Sequence, residues 1–107
     1  MSTNQTLQKL AEILEQRKIV KADESYVASL YQSGLEKILE KVNEEAQETI
    51  EAAQEGDTEH LIHEVADLWF HCMVLLAYKN VKHEAVLNEL DKRFGKSGLV
   101  EKALRNK

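Results

Sequence analysis

Between Leu35 and Lys79 the chain carries a single glycine, Gly56, and no proline. Glycine readily takes the left-handed conformation that closes a helix, and an aspartate side chain accepts from the free amides that open the next one. Gly56-Asp57 therefore predicts the end of one long helix, over about 35–55, and the start of another that ends near Asn80. Two long helices joined by so short a turn must fold back as an antiparallel hairpin. A first amphipathic helix is expected over about Leu7 to Lys18, with Leu7, Leu10, Ala11 and Leu14 at three-to-four spacing. Asp23 is a candidate cap for a short helix through Tyr26, Val27, Leu30 and Tyr31 that ends near Gly34. A fifth helix, about His83 to Phe94, puts Val86, Leu87 and Leu90 on one face, and Gly95 to Gly98 reads as a turn. No segment keeps the alternation of a strand. The expected class is all-α, a helical bundle around the hairpin, with residues 1–107 as a single domain.

Size and charge narrow the function. A chain of 107 residues buries only about two thirds of its unfolded surface, so a partner subunit would help to cover its apolar faces. Fourteen basic against nineteen acidic residues, net −5 and without a basic run, argue against non-specific nucleic-acid binding. The one cysteine, Cys72, excludes an internal disulfide and sits in the most apolar helix, where it reads as packing. Residues 1–8 lack the basic and apolar regions of a signal peptide. The longest apolar run, Leu68 to Tyr78, is broken by His71 and is too short to span a bilayer. A cytoplasmic protein without membrane attachment is expected.

The chemistry lies in the acids. Glu64 and Asp67 stand at an E-x-x-D spacing in a helix that is apolar on nearly every side after Val65, and no Lys or Arg occurs from 57 to 78. One helix earlier, Glu44, Glu45 and Glu48 form an E-E-x-x-E. At about 100° per residue, Leu35, Ile38, Leu39, Ala46 and Ala53 cluster around Val42, with Glu45 at the edge of that stripe, about 60° away, and Glu48 about 120° away. Glu44 and Glu51 point toward solvent. On the second helix His60, Glu64, Asp67 and His71 form one polar stripe. Taken singly, the glutamates of the first helix also fit an ordinary solvated face, and the two histidines fit partly buried residues with ordinary hydrogen bonds. Isolated carboxylates in a core neutralise, pair with cations or bind metal. Facing pairs of them suit a hard divalent cation such as Mg²⁺, which takes oxygen ligands and keeps waters for a phosphate substrate.

These residues, with fifteen positions between Glu48 and Glu64, resemble the E-E-x-x-E … E-x-x-D signature of the MazG-like all-α nucleoside triphosphate pyrophosphohydrolases. More of the chain, about residues 3 to 105, is similar to one branch, the phosphoribosyl-ATP pyrophosphohydrolases of histidine biosynthesis. The matching stretches are Ser25-Tyr26-Val27-Ala28, the run from Lys37 to Glu48, Glu64-Val65-Ala66-Asp67-Leu68 and the tail from Arg93 to Leu99. Asn43 departs from the glycine of many relatives and leaves the carboxylates untouched.

The resemblance implies an enzyme, a phosphoribosyl-ATP diphosphatase. It would hydrolyse 1-(5-phosphoribosyl)-ATP to 1-(5-phosphoribosyl)-AMP and pyrophosphate, with Glu45, Glu48, Glu64 and Asp67 catalytic and Glu44 joining them around Mg²⁺. It also implies a homodimer. No cyclohydrolase domain is joined to the chain, so that step is expected elsewhere. Lys37, Lys41, Arg93, Lys96 and Ser97 are candidates for the outlying phosphates, the last three beside a glycine turn whose amides can face an anion. The lysines fit a solvated helix face equally well, and Gly95 fits a helix cap. Gly95-Lys96-Ser97 is not a P-loop, because Leu90 stands where that motif needs glycine. Two other readings stay open: a house-cleaning pyrophosphohydrolase of other nucleoside triphosphates, and a non-enzymatic helical interaction module.

Overall fold

A computed structural model of the chain describes residues 3 to 94. It holds five α-helices: α1 (Thr3–Gln16), α2 (Tyr26–Ser33), α3 (Leu35–Glu55), α4 (Thr58–Tyr78) and α5 (His83–Asp91), and no strand among the described residues. The all-α expectation holds, and α3 and α4 form the hairpin. Gly56 closes α3 in the left-handed conformation (φ 81, ψ 12). The Asp57 side chain accepts from the His60 amide at 3.2 Å and so caps α4. Gly34, at φ 97, ends α2 and begins α3, a backbone state that a residue with a side chain resists.

The limits of the other helices differ from the sequence expectation in ways that the caps explain. α1 begins at Thr3, ahead of its first apolar residue, and tightens into a 3₁₀ turn over Arg17–Ile19. Asp23 does not cap α2. It lies inside a 3₁₀ turn, Ala22–Glu24, and the Ser25 hydroxyl accepts from the Ala28 amide at 3.2 Å instead. α5 ends at Asp91 rather than Phe94. Of the expected C-terminal turn, Gly95 to Gly98 lie outside the described residues.

The core is built where α1, α2, α3 and α4 meet. Leu14, Val27, Leu30, Ile38, Met73 and Val74 are buried together, with Leu7, Leu10, Ala11 and Phe70 packed against them. α4 is long and apolar enough to cross a bilayer by length and composition alone. Here it packs along α3 and against α1. Its burial is incomplete, however. Trp69 is 56% exposed and Ile62 63%, and on the facing helix Ile50 and Leu39 are also exposed. The apolar circumference of α4 is thus only partly covered by one chain. The same holds for α5, whose Val86 and Leu90 are exposed.

Candidate active site

The buried row of α3 is Ile38, Glu45 and Ala52, spaced by seven residues along one face of the helix. Glu45 therefore occupies the middle of the core stripe and not its edge. The centre of the face that meets α4 is rotated by about 60° from Val42, and Leu39 and Ala53 turn outward with it. The reason is α4 itself. Its polar stripe is the side that meets α3, so the hairpin closes over carboxylates where a pattern of apolar residues alone points elsewhere.

Across that seam Glu45, Glu48 and Glu64 each bring a carboxylate oxygen within 4.8 Å of the others. Glu64, Asp67 and His63 form a second group of the same closeness, sharing Glu64. Glu45 is 6% and Glu64 7% exposed. Among the described residues, Glu45 Oε2 and Glu64 Oε2 are buried with no hydrogen-bond partner. Burial, then the neighbouring Glu48, Asp67 and Glu64, pushes the Glu45 carboxyl up to about 7. A low-dielectric site disfavours the charged form, and adjacent acids disfavour it further. Two orphaned oxygens on facing helices, with Glu48 and Asp67 beside them, fit a hard cation that takes oxygen ligands.

Histidines complete the stripe. His60 lies 3.4 Å from Glu64 Oε1 and 3.2 Å from Glu55 Oε2, so it ties α4 back to the end of α3. Its pKa is raised, chiefly by the Glu55 carboxylate. His63 lies 3.4 Å from Asp67 Oδ2. His60–Glu64 and His63–Asp67 are i,i+4 pairs, so a His–acid register legible in the sequence supplies partners where Lys and Arg are missing. His71 is buried and uses both ring nitrogens: Nδ1–H donates to the Asp67 main-chain oxygen at 2.8 Å, and Nε2 meets the Tyr26 hydroxyl at 2.9 Å.

The remaining candidates are dispersed. Glu44 is half exposed and pairs with Lys41 at 3.5 Å. Burial lowers the Lys41 pKa, but Tyr26, Glu44 and Glu45 raise it further, so the net shift is upward. Lys41 thus stands at the lip of the cluster. Lys37 is exposed and pairs with Glu40. Arg93 pairs weakly with Glu89 at 3.9 Å, just beyond α5, a helix that packs on α1. Lys96 and Ser97 lie outside the described residues. Tyr26 and His63 were not among the expected site residues. Tyr26 arrives from α2 by tertiary packing, which no period along α3 or α4 reveals. A cavity of about 430 Å³ between α1 and the C-terminal half of α4 shares no residue with the carboxylates.

The sequence profile of the family described as phosphoribosyl-ATP pyrophosphohydrolase matches residues 7–94. The chain is 54% identical to the phosphoribosyl-ATP pyrophosphatase of Vesicomyosocius okutanii over 103 residues, covering 96% of this chain and 98% of the relative. It is 57% identical to the protein of that name from Methylococcus capsulatus over 99 residues, covering 92% and 94%.

Proposed function

The chain belongs to the phosphoribosyl-ATP pyrophosphohydrolase family, and from that premise we propose that it hydrolyses 1-(5-phosphoribosyl)-ATP to 1-(5-phosphoribosyl)-AMP and pyrophosphate in histidine biosynthesis. The observation that supports the mechanism is that Glu45 and Glu64, each with one buried and unpartnered carboxylate oxygen, bring their carboxylates together across the α3–α4 seam. Glu45, Glu48, Glu64 and Asp67 would hold Mg²⁺, with Glu44 in support. When bound, Mg²⁺ neutralises charge on the triphosphate and acidifies the attacking water. The protein itself has little covalent work to do in cleaving between the α- and β-phosphates. Its carboxylates fix the site on two rigid helices, and one of them orients the attacking water. Lys41, at the lip, and Lys37, one turn before it, approach the substrate phosphates from α3. Arg93, Lys96 and Ser97 form a second anion contact toward the C-terminus.

The exposed apolar side chains of Leu39, Ile50, Ile62 and Trp69 on the hairpin suit a second copy of the chain, and a homodimer is the assembly that this reading includes. A cytoplasmic location follows from the biosynthetic role.

The deciding assay is pyrophosphate release with Mg²⁺, comparing phosphoribosyl-ATP, ATP and a panel of deoxynucleoside triphosphates. A kcat/KM for phosphoribosyl-ATP at least about a hundredfold above the others is expected, since a site built to bond extra substrate groups rejects analogues that lack them. Equal or better turnover of a deoxynucleotide would transfer the chain to house-cleaning hydrolysis. No Mg²⁺-dependent release from any of them would leave a non-enzymatic bundle.

A further inference from the structure

Tyr26 is half exposed at 51%, yet its hydroxyl is held. The first residue of α2, it is set by the Ser25 cap just before it. Its partner His71 is 5% exposed, on the polar stripe of α4 one turn beyond Asp67. The direction of the bond to the carbonyl follows from chemistry, and that of the bond to Tyr26 follows for a neutral ring. A main-chain carbonyl only accepts, so His71 Nδ1 carries the proton in its 2.8 Å bond to the Asp67 oxygen. In the neutral ring Nε2 is then an acceptor, and the Tyr26 hydroxyl donates to it at 2.9 Å. The two rings meet edge to face, with centroids 5.9 Å apart, which fixes the tyrosine plane as well. While the ring is neutral, the one proton of the phenol is committed to His71, and what its oxygen has left to offer a ligand is lone pairs.

That restricts what it can bind. A phosphate oxygen is also an acceptor and gains nothing from such a group. A sugar hydroxyl or a purine amino group is a donor and fits it. The exposed ring adds an apolar face against which a base can stack. The location is suitable: Lys41, which ion-pairs with Glu44, lies within the electrostatic reach of both Tyr26 and Glu45. Lys41 and the carboxylates thus take the phosphate end, and the aromatic stands beside them.

We infer that Tyr26 binds the nucleoside end of the substrate as a hydrogen-bond acceptor, and that His71 is the residue that positions it. The inference rests on the proposed nucleotide hydrolysis and deepens it by dividing the site into a phosphate side on α3 and α4 and a nucleoside side on α2. His71 acts only through Tyr26 and does not touch the substrate.

The test uses the full chain with Mg²⁺, two variants and two probes. Tyr26→Phe keeps the ring and removes the acceptor. His71→Asn keeps a donor for the Asp67 carbonyl and removes the partner of the tyrosine. The dissociation constants of AMP and of pyrophosphate are measured by calorimetry, alongside KM and kcat for phosphoribosyl-ATP. In Tyr26→Phe the AMP constant and KM should each rise about fivefold, the worth of one neutral hydrogen bond. The loss should appear in KM more than in kcat, and pyrophosphate affinity should stay within about twofold. His71→Asn should reproduce the AMP effect, and the double variant should add nothing to it. Weakened pyrophosphate with unchanged AMP would overturn the inference, as would losses of both that track a fall in melting temperature, or no change at all. A wild-type chain that does not turn over phosphoribosyl-ATP would defeat the proposed function. The AMP constants of wild type and Tyr26→Phe would still decide the role of Tyr26.

Discussion

Glu45 on α3 and Glu64 on α4 each bury one carboxylate oxygen without a partner, and their carboxylates lie within 4.8 Å of each other across the hairpin. Both sit where a helix of this length normally places an apolar residue. The hairpin is therefore closed over a charge conflict, which a divalent cation would relieve and which a proton relieves in its absence.

Stability of the metal-free protein should consequently fall as pH rises. The Glu45 carboxyl is pushed from 4.5 up to about 7 in the folded chain. A folded-state pKa above the unfolded one means that the native state holds its proton longer. The corresponding stability is complete below about 4.5 and is lost as pH climbs through about 7. In EDTA, the melting temperature at pH 8 should lie about 5 °C or more below that at pH 5.5. Mg²⁺ should recover more at pH 8 than at pH 5.5, and Glu45→Gln should flatten the dependence. A metal-free melting temperature that rises from pH 5.5 to 8 would contradict the assignment.

Catalysis should fail when the stripe on α4 loses its charge. Glu64→Gln and Asp67→Asn are expected to reduce kcat/KM by on the order of a hundredfold or more, because each removes a charge from the proposed metal site while preserving shape. Helical circular dichroism should remain near wild type, since neither change removes a helix-forming residue. Full activity of Asp67→Asn in the presence of EDTA would exclude the proposed metal chemistry.

Much of this arrangement could be read along the chain. The hairpin followed from Gly56 and Asp57, which do in the structure what their types suggest. The pairing of Glu45 and Glu48 with Glu64 followed from helical spacing. The orientation of α3 did not, because the pattern of Leu35, Leu39 and Ala53 treats every apolar residue as inward-facing. Leu39 and Ala53 are exposed in the single chain, and the true centre of the stripe is a glutamate. The cap of α2 is Ser25 rather than the expected Asp23: either side chain can accept from a free amide, and the register of the Ala28 amide decides which one does. Tyr26 was named only within a matching stretch, because what sets it beside the stripe of α4 is a contact with His71, forty-five positions away.

Association should cover the apolar band of the hairpin. Trp69, at 56% exposed, and Ile62 on α4 are matched by exposed Ile50 and Leu39 on α3, and a stable interface needs about 800 Å² from each partner. Sedimentation at micromolar concentration should show a dimer. Trp69→Glu should shift it toward monomer, because a charge placed at the centre of an apolar contact is left without a partner. Wild-type tryptophan emission should be that of a buried indole and move to longer wavelength in a dissociated variant. A wild-type monomer with full activity would remove the dimer from the proposed function.

Lys41 and Arg93 should separate the two proposed phosphate contacts. Lys41 stands beside the carboxylates, ion-paired with Glu44, and in the proposed function its ammonium meets the triphosphate. Lys41→Met keeps most of the stem and should raise KM for phosphoribosyl-ATP about tenfold, the cost of one charge-assisted hydrogen bond of about 1.5–3 kcal/mol. Arg93 lies beyond α5 and is 43% exposed at its side chain, with Glu89 at 3.9 Å. A solvated pair of that length contributes little to stability, so Arg93→Ala should leave the melting temperature nearly unchanged. If the C-terminal segment reads the 5′-phosphate of the extra ribose, Arg93→Ala and Ser97→Ala should lower kcat/KM for phosphoribosyl-ATP about tenfold and leave the affinity for AMP, which lacks that ribose, unaltered. Unchanged kinetics in both variants would remove the C-terminal segment from the proposed site and leave Lys41 and Lys37 as the phosphate contacts.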